Sequence, residues 1–252
     1  MKPYYQDRGC LIFNADYLDV LQDQFANVVI TDPPYGVNYQ NNYTHNKFDK
    51  IENDGKQFSY YPWARRAYAC LAGNSALLAY TGWSTYPQHF LDLQEAGFAV
   101  KEPLVVQKRP SGTTDLYGSF QTNSDWLLFA HKGRFKFKPT QLVKNKRAGT
   151  IPNKGRKPVP EYKTRFPACW FGESFPLSTE NPSKKINHPT PKSVEFMQWL
   201  IKLTTNEGEI VLDPFMGSGT TLLAARSVGR QCIGIEIAQE YCDLAIERLR
   251  SE

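Results

Sequence analysis

The 252-residue sequence predicts an α/β fold, a mostly parallel, doubly wound sheet interrupted by one inserted segment. Three observations lead there. Short apolar runs alternate with helix-length stretches along most of the chain. Several of these runs, Val28-Val29-Ile30 and Ala76-Leu77-Leu78-Ala79 among them, are continuously apolar, as strands covered on both faces must be. The alternation then fails over residues 134–187, where basic residues and prolines gather without a clear period.

Taken in order, strands are expected over 11–14, 27–31, 75–81, 100–107, 125–131, 209–212 and 231–235. Helices fit between them over 58–72 and 86–96, with Gly73 and Gly97 at the stop positions. Over 191–205, Val194, Met197, Leu200 and Ile201 recur on one face, and Pro191 suits a first turn. The last helix spans 238–250, with Tyr241, Leu244, Ala245 and Leu249 inward. Residues 36–55 are polar, rich in Asn and Tyr, and follow a strand end directly. A loop of that length is either plain surface or a lid or binding loop.

Composition narrows the classes. A hydrophobic content of 41% with 13% aromatics is enough for a core and excludes wholesale disorder. The length suits one domain with a sizeable insertion. No apolar run is long enough to span a membrane, and the first residues lack a signal-peptide core. Five cysteines (Cys10, Cys70, Cys169, Cys232, Cys242) without a C-x-x-C pair point to a reducing, cytoplasmic setting rather than a disulfide scaffold or zinc ribbon. The net charge of +5 is unevenly placed. Residues 131–192 hold 15 Lys and Arg against Glu161, Glu173 and Glu180, a local +12, which leaves −7 on the rest. Such asymmetry fits either a solvated loop or a polyanion partner, usually nucleic acid.

Two constellations carry chemistry. In the first, Asn27-Val28-Val29-Ile30-Thr31 runs into Asp32-Pro33-Pro34-Tyr35 at a strand end, where open α/β sheets bind ligands. The prolines fix the backbone and remove two N–H donors. A carboxylate and a rigid carbonyl can then grip an amino group, while Tyr35 offers a face to a planar ring. A plain Pro-Pro turn is the competing reading. The second is a strand ending at Asp213, then Pro214-Phe215-Met216-Gly217-Ser218-Gly219-Thr220-Thr221 leading into a helix. This is the layout of a nucleotide-type cofactor loop. It lacks a P-loop lysine and the third glycine of a dinucleotide fingerprint, since Leu222 stands there. The next strand ends in Glu236, which can accept both hydroxyls of a ribose, so an adenosine compound without a pyrophosphate is indicated.

These motifs together resemble the S-adenosylmethionine-dependent DNA amino-methyltransferases of the beta group, a permuted Rossmann-like methyltransferase fold. D-P-P-Y at 32–35 matches the family's catalytic motif and D-P-F-M-G-S-G-T-T at 213–221 its cofactor loop. Asn187-His188-Pro189-Thr190-Pro191-Lys192 is similar to its H-P-T-x-K-P segment, with Ser193 where the family often has proline. Catalytic motif first, recognition segment next and cofactor loop last is the order that defines the group. The resemblance implies a catalytic half over 1–133, a basic target-recognition insert over 134–187 and a cofactor-binding half over 188–252. It implies that Phe215, Gly217, Ser218, Gly219 and Thr220, with Asp213 and Thr221, surround the methionine part of S-adenosylmethionine. Glu236 would hold the ribose and Asp16 face the adenine, unless Asp16 is simply a helix N-cap. His188, Thr190 and Lys192 would lie near the methionine carboxylate, unless Lys192 is a solvated first-turn lysine.

The implied reaction moves a methyl group to the exocyclic N6 amine of an adenine flipped out of duplex DNA. Asp32 and the Pro33 carbonyl would accept the amine hydrogens, Pro34 would stiffen the turn, and Tyr35 would stack on the base; no metal is called for. Phosphate contacts fall to Lys108, Arg109, Arg134, Lys144, Lys146, Arg147, Lys154, Arg156 and Lys157. The alternatives are an N4-cytosine enzyme and, in another class, a non-catalytic DNA-binding regulator on the same scaffold. Aspartate at position 32 tilts toward adenine, because the family's cytosine members favour serine there. The setting implied is prokaryotic or phage-encoded and cytoplasmic. A homodimer and a cognate restriction endonuclease stay open.

Overall fold

The computed structural model describes residues 1–21, 23–34, 58–107, 124–138, 141–144, 162–165 and 192–251. In chain order the elements are β1 (Tyr5–Asp7), β2 (Cys10–Asn14), α1 (Tyr17–Val20), β3 (Ala26–Thr31), α2 (Tyr60–Cys70), β4 (Leu71–Thr81), α3 (Tyr86–Glu95), β5 (Ala99–Val100) and β6 (Leu104–Gln107). There follow β7 (Ser124–His131), β8 (Gln141–Lys144), β9 (Tyr162–Arg165), α4 (Val194–Thr204), β10 (Ile210–Asp213), α5 (Thr220–Ser227), β11 (Gln231–Glu236) and α6 (Gln239–Arg250).

The main sheet runs β1-β2-β11-β10-β3-β4-β7-β5, with β6 also on β7. Its centre, from β2 through β11, β10 and β3 to β4, is parallel. Both flanks are antiparallel, β1 on β2 at one side and β4, β5 and β6 on β7 at the other. The period of two along β3 sorts its side chains: Val28 and Ile30 join one core and Val29 the other. The first core packs beneath α4, α5 and α6, through residues such as Phe196, Leu222 and Cys242. The second packs beneath α2 and α3, through Trp63, Ala67 and Leu93. Helices on both faces make the sheet doubly wound.

Four boundaries differ from the sequence expectation. The strand expected over 100–107 is two strands, because Pro103 cannot donate to the ladder and the chain leaves β7 between Val100 and Leu104. The helix expected over 58–72 ends at Cys70, and β4 begins at Leu71 without a connecting turn, so Gly73 lies inside a strand rather than at a helix stop. The helix expected from Pro191 starts at Val194. Ser193 caps it by accepting a hydrogen bond from the Phe196 N–H at 3.2 Å, a role proline could not fill. Pro191 itself lies outside the described residues. Within the supposedly aperiodic basic segment, β8 and β9 pair antiparallel, Gln141 with Arg165 and Lys144 with Tyr162.

Candidate active site at the carboxyl edge of the sheet

Because the central strands are parallel, their carboxyl ends share one edge, where orphan backbone groups and loop side chains converge. Asp32 follows β3, Asp213 ends β10, Glu236 ends β11 and Asp16 lies just beyond β2. Two motifs that stand far apart in sequence meet directly here. The Thr31 hydroxyl donates to Asp213 Oδ1 at 2.7 Å, tying the base of the D-P-P turn to the base of the glycine loop. Asp213 also accepts from the Phe215 N–H at 3.2 Å. Asp213 is only 4% exposed, and burial pushes its pKa up to about 6, against the lowering effect of the Thr31 and Thr221 hydrogen bonds. Asp213 is thus spent on holding the loop.

The glycine loop is shaped from both ends. Gly217 and Gly219 have φ of 48° and 77°, left-handed values that an L side chain resists. A Cβ on Gly219 would come within 2.7 Å of Ala245 Cβ on α6, so this glycine serves the close approach of two helices. Arg248, also on α6, donates through Nη1 to the Ser218 carbonyl at 2.5 Å, with Ser218 Oγ at 3.0 Å and Thr220 Oγ1 at 3.2 Å. Glu236 closes the other side, accepting from the Gly217 N–H at Oε2 and the Ala238 N–H at Oε1, both at 3.0 Å. A carboxylate has about four acceptor positions, of which these two N–H groups use two. Phe215 packs its ring against Tyr17, Phe58 and Trp63, at centroid distances of 5.2, 5.8 and 6.0 Å. Asp16 is the N-cap of α1, its Oδ1 accepting from the Leu18 N–H at 2.8 Å.

Lys192 occupies a place that sequence spacing could not specify. Its Nζ is 2.9 Å from Asp32 Oδ2 and 3.9 Å from Asp125 Oδ2, and it sits 4.1 Å from the centre of the Tyr80 ring. Burial acts to lower its pKa, but the Asp32 and Asp125 charges outweigh it and hold the ammonium above the usual lysine range. With 17% of its side chain exposed, Lys192 is no solvated first-turn lysine. Sequence reasoning missed Thr31, Tyr80, Asp125 and Arg248. Each acts on a residue remote in sequence, and none stands in a recognisable spacing.

Other expected residues are less informative. Tyr35, His188, Thr190, Lys108, Arg109, Lys146, Arg147, Lys154, Arg156 and Lys157 lie outside the described residues, as do residues 36–55 and Cys169. Lys144 falls in β8. Arg134 is exposed, and its backbone N–H donates to Asn74 Oδ1 at 2.7 Å. Asn74 lies in the amino-terminal part of β4, between the Leu71 and Ala76 pairs with β3, so Arg134 lies toward the amino edge of the sheet, away from Asp32. The sequence expectation that Arg134 contacts DNA with the others finds no support in that placement. β6, by contrast, runs toward the carboxyl edge, since Gln107 pairs with Ser124 beyond the Thr81–Trp126 pair. No helix among the described residues is long and apolar enough to cross a membrane.

A doubly wound sheet with a D-P-P turn and a glycine loop joined at its carboxyl edge defines a Rossmann-like transferase architecture. The family model described as DNA methylase (N6_N4_Mtase) matches residues 26–247. The chain belongs to this family, the S-adenosylmethionine-dependent DNA amino-methyltransferases, and its cofactor is S-adenosylmethionine. It is 26% identical over 267 residues to the type II methyltransferase M2.DpnII of Streptococcus pneumoniae, covering 100% of this chain and 93% of that one. It is 30% identical over 274 residues to M.BamHI of Bacillus amyloliquefaciens, covering 100% of this chain and 60% of that longer protein. Among solved structures, the M1.HpyAVI–SAM complex is 26% identical with a TM-score of 0.63, covering 95% of this chain and 99% of that one. PvuII DNA methyltransferase (cytosine-N4-specific) is 17% identical with a TM-score of 0.70, over 98% and 88% of the two chains, a likeness of fold.

Proposed function

We propose that the chain methylates the exocyclic N6 amine of adenine in duplex DNA, with Asp32 as the group that receives the amine. The observation carrying this reading is the Thr31–Asp213 hydrogen bond, which sets the D-P-P turn beside the glycine loop. Two sites of different chemistry thereby adjoin, as transfer between a cofactor and a base requires. The donor set suits the cofactor: Glu236 matches a ribose diol and the loop from Phe215 to Thr221 the methionine part, while Asp16 is engaged as the N-cap of α1. When bound, S-adenosylmethionine supplies an electrophilic methyl group on a sulfonium sulfur.

The chain's own residues prepare the nucleophile. An exocyclic amine is a poor nucleophile while its lone pair is delocalised into the ring. Asp32 and the Pro33 carbonyl, each accepting one N–H, favour a pyramidal nitrogen whose lone pair is directed at the methyl group. Pro33 and Pro34 hold that acceptor pair rigid. Tyr35 stacks on the base, which must leave the duplex at a cost of about a few kcal/mol. The segment 134–187 acts as the target-recognition insert, where Lys144, Lys146, Arg147, Lys154, Arg156 and Lys157, together with Lys108 and Arg109, meet phosphates. Aspartate rather than serine at position 32 is what favours adenine over cytosine.

Incubation with labelled S-adenosylmethionine and DNA from a strain lacking the modification, followed by nucleoside analysis, tests both parts. N6-methyladenine is the expected product, and N4-methylcytosine would overturn the assignment of the base. Asp32→Ala should lose at least about a thousandfold in methyl transfer, on the order of the loss of one strong transition-state contact, with cofactor binding nearly intact. Retained turnover would remove Asp32 from the mechanism.

A further inference from the structure

We propose that Asp125 and Lys192 are positioning residues for Asp32, and that the Lys192 ammonium, shared between the two carboxylates, fixes the orientation and charge of the acceptor. This rests on the reading of Asp32 given above. The geometry is a three-point hold on one cation. Asp32, at the end of β3, lies 2.9 Å from Nζ; Asp125, near the start of β7, lies 3.9 Å away; the Tyr80 ring, on β4, presents its face at 4.1 Å. The lysine enters from the residue before the Ser193 cap of α4, so four separate elements meet at one nitrogen. Tyr80 is buried, and burial holds its hydroxyl proton firmly in place, so its ring serves as a neutral wall. Asp213, which also faces this side, is committed to Thr31 and Phe215.

The charge count gives Asp125 its purpose. A carboxylate bound to one ammonium alone forms a neutral pair, and its oxygens become weaker acceptors for an incoming amine. With Asp125 sharing the same ammonium, these three groups together carry a net charge of −1. Asp32 then stays anchored by the ammonium yet retains acceptor strength. The Lys192 charge is in this way assigned to the acceptor carboxylate of Asp32.

The test is a charge cycle on the full-length protein, reading single-turnover methyl transfer across pH with DNA lacking the modification. Asp125→Asn removes a negative neighbour, so the acid limb of the rate profile should move to lower pH while the plateau rate falls about tenfold, an effect of the size of one weakened hydrogen bond. Lys192→Met removes the positive neighbour, so the limb should move to higher pH, by about one pH unit or more. The double variant restores the net charge, and its limb should return close to the wild-type position. In all three, equilibrium dialysis should give S-adenosylmethionine affinity within about threefold of wild type, less than the loss of one charge-assisted hydrogen bond. Limbs that stay fixed or move in the same direction would overturn the proposal, as would a lost cofactor affinity in Lys192→Met with an unmoved profile. Lys192→Gln stands in should the methionine variant fail to fold. An active Asp32→Ala would defeat the reading of Asp32 itself, whereas an inactive one with unmoved limbs would defeat only the roles of Asp125 and Lys192.

Discussion

Asp213 shows how a motif residue can serve structure at a charge cost. Its folded pKa, about 6, lies above the ordinary carboxylate value, so the native protein holds this proton more tightly than the unfolded chain does. Its contribution is therefore most favourable below the unfolded pKa, declines as pH rises through about 4 to 6, and is lost above that window. Asp213→Asn keeps an acceptor for Thr31 and Phe215 and removes the titration. The variant should be more stable than wild type at pH 7.5 by on the order of 1–3 kcal/mol, with the difference vanishing near pH 4. Chemical denaturation at the two pH values checks this, and an equal difference at both would refute it. At this scale the two motif strings were legible because each is contiguous. The partner of Asp213 was not, since Thr31 stands 182 positions away. Asp125 carried no local signal either: an acid near the start of a strand is ordinary, and only the folded sheet brings it to Lys192.

Among the elements, α5 has a start that depends on a glycine. Gly219 precedes it with φ of 77°, and a side chain there would press on Ala245 Cβ, an atom that α6 cannot withdraw without moving. Gly219→Ala should cost about 1–3 kcal/mol, the usual range for overpacking, and should weaken cofactor binding in the same experiment, because Arg248 reaches Ser218 and Thr220 from the same helix. Unchanged thermal stability and affinity together would contradict the packing described. Glycines at these positions read from sequence as a sign of ligand approach. The fold adds helix-to-helix contact as a second reason, and chain spacing cannot distinguish the two. Apolar period made α4 and α6 legible, and spacing between strands or motifs placed α2, α3 and α5, whereas boundaries were decided by chemistry acting within one or two residues. Ser193 capping α4 and Pro103 dividing a strand are the clearest instances. The β8–β9 pair escaped notice because its four-residue strands are too short to show a period amid basic residues.

For the whole molecule, charge is separated along the chain: +12 over 131–192 and −7 elsewhere. If the basic segment meets DNA phosphates, binding should release counterions, and affinity should fall by about 10³-fold or more between 50 and 200 mM salt for six or more contacts. Fluorescence anisotropy across a salt series measures the slope, and a flat response would remove this segment from DNA contact. Strand–helix alternation was enough to anticipate a doubly wound sheet. The antiparallel flanks were not legible: β1 and β5 are three and two residues long, and the direction of the longer β7 against β4 depends on sheet neighbours that its own residues do not encode.

The strand order also dictates when the protein can become itself during synthesis. β2 and β3 are neighbours in the chain, yet β11 and β10 lie between them in the sheet. A nascent chain therefore carries β3 with an open edge until residues 210–213 emerge, a wait of about 10 s or more at ordinary elongation rates. Throughout that interval the D-P-P turn has no Asp213 to anchor it, and an unpaired apolar strand is a ready template for wrong partners. β10 and β11, both past residue 209, then fill the middle of the sheet between β2 and β3. Catalytic competence and the closing of the fold are then the same event.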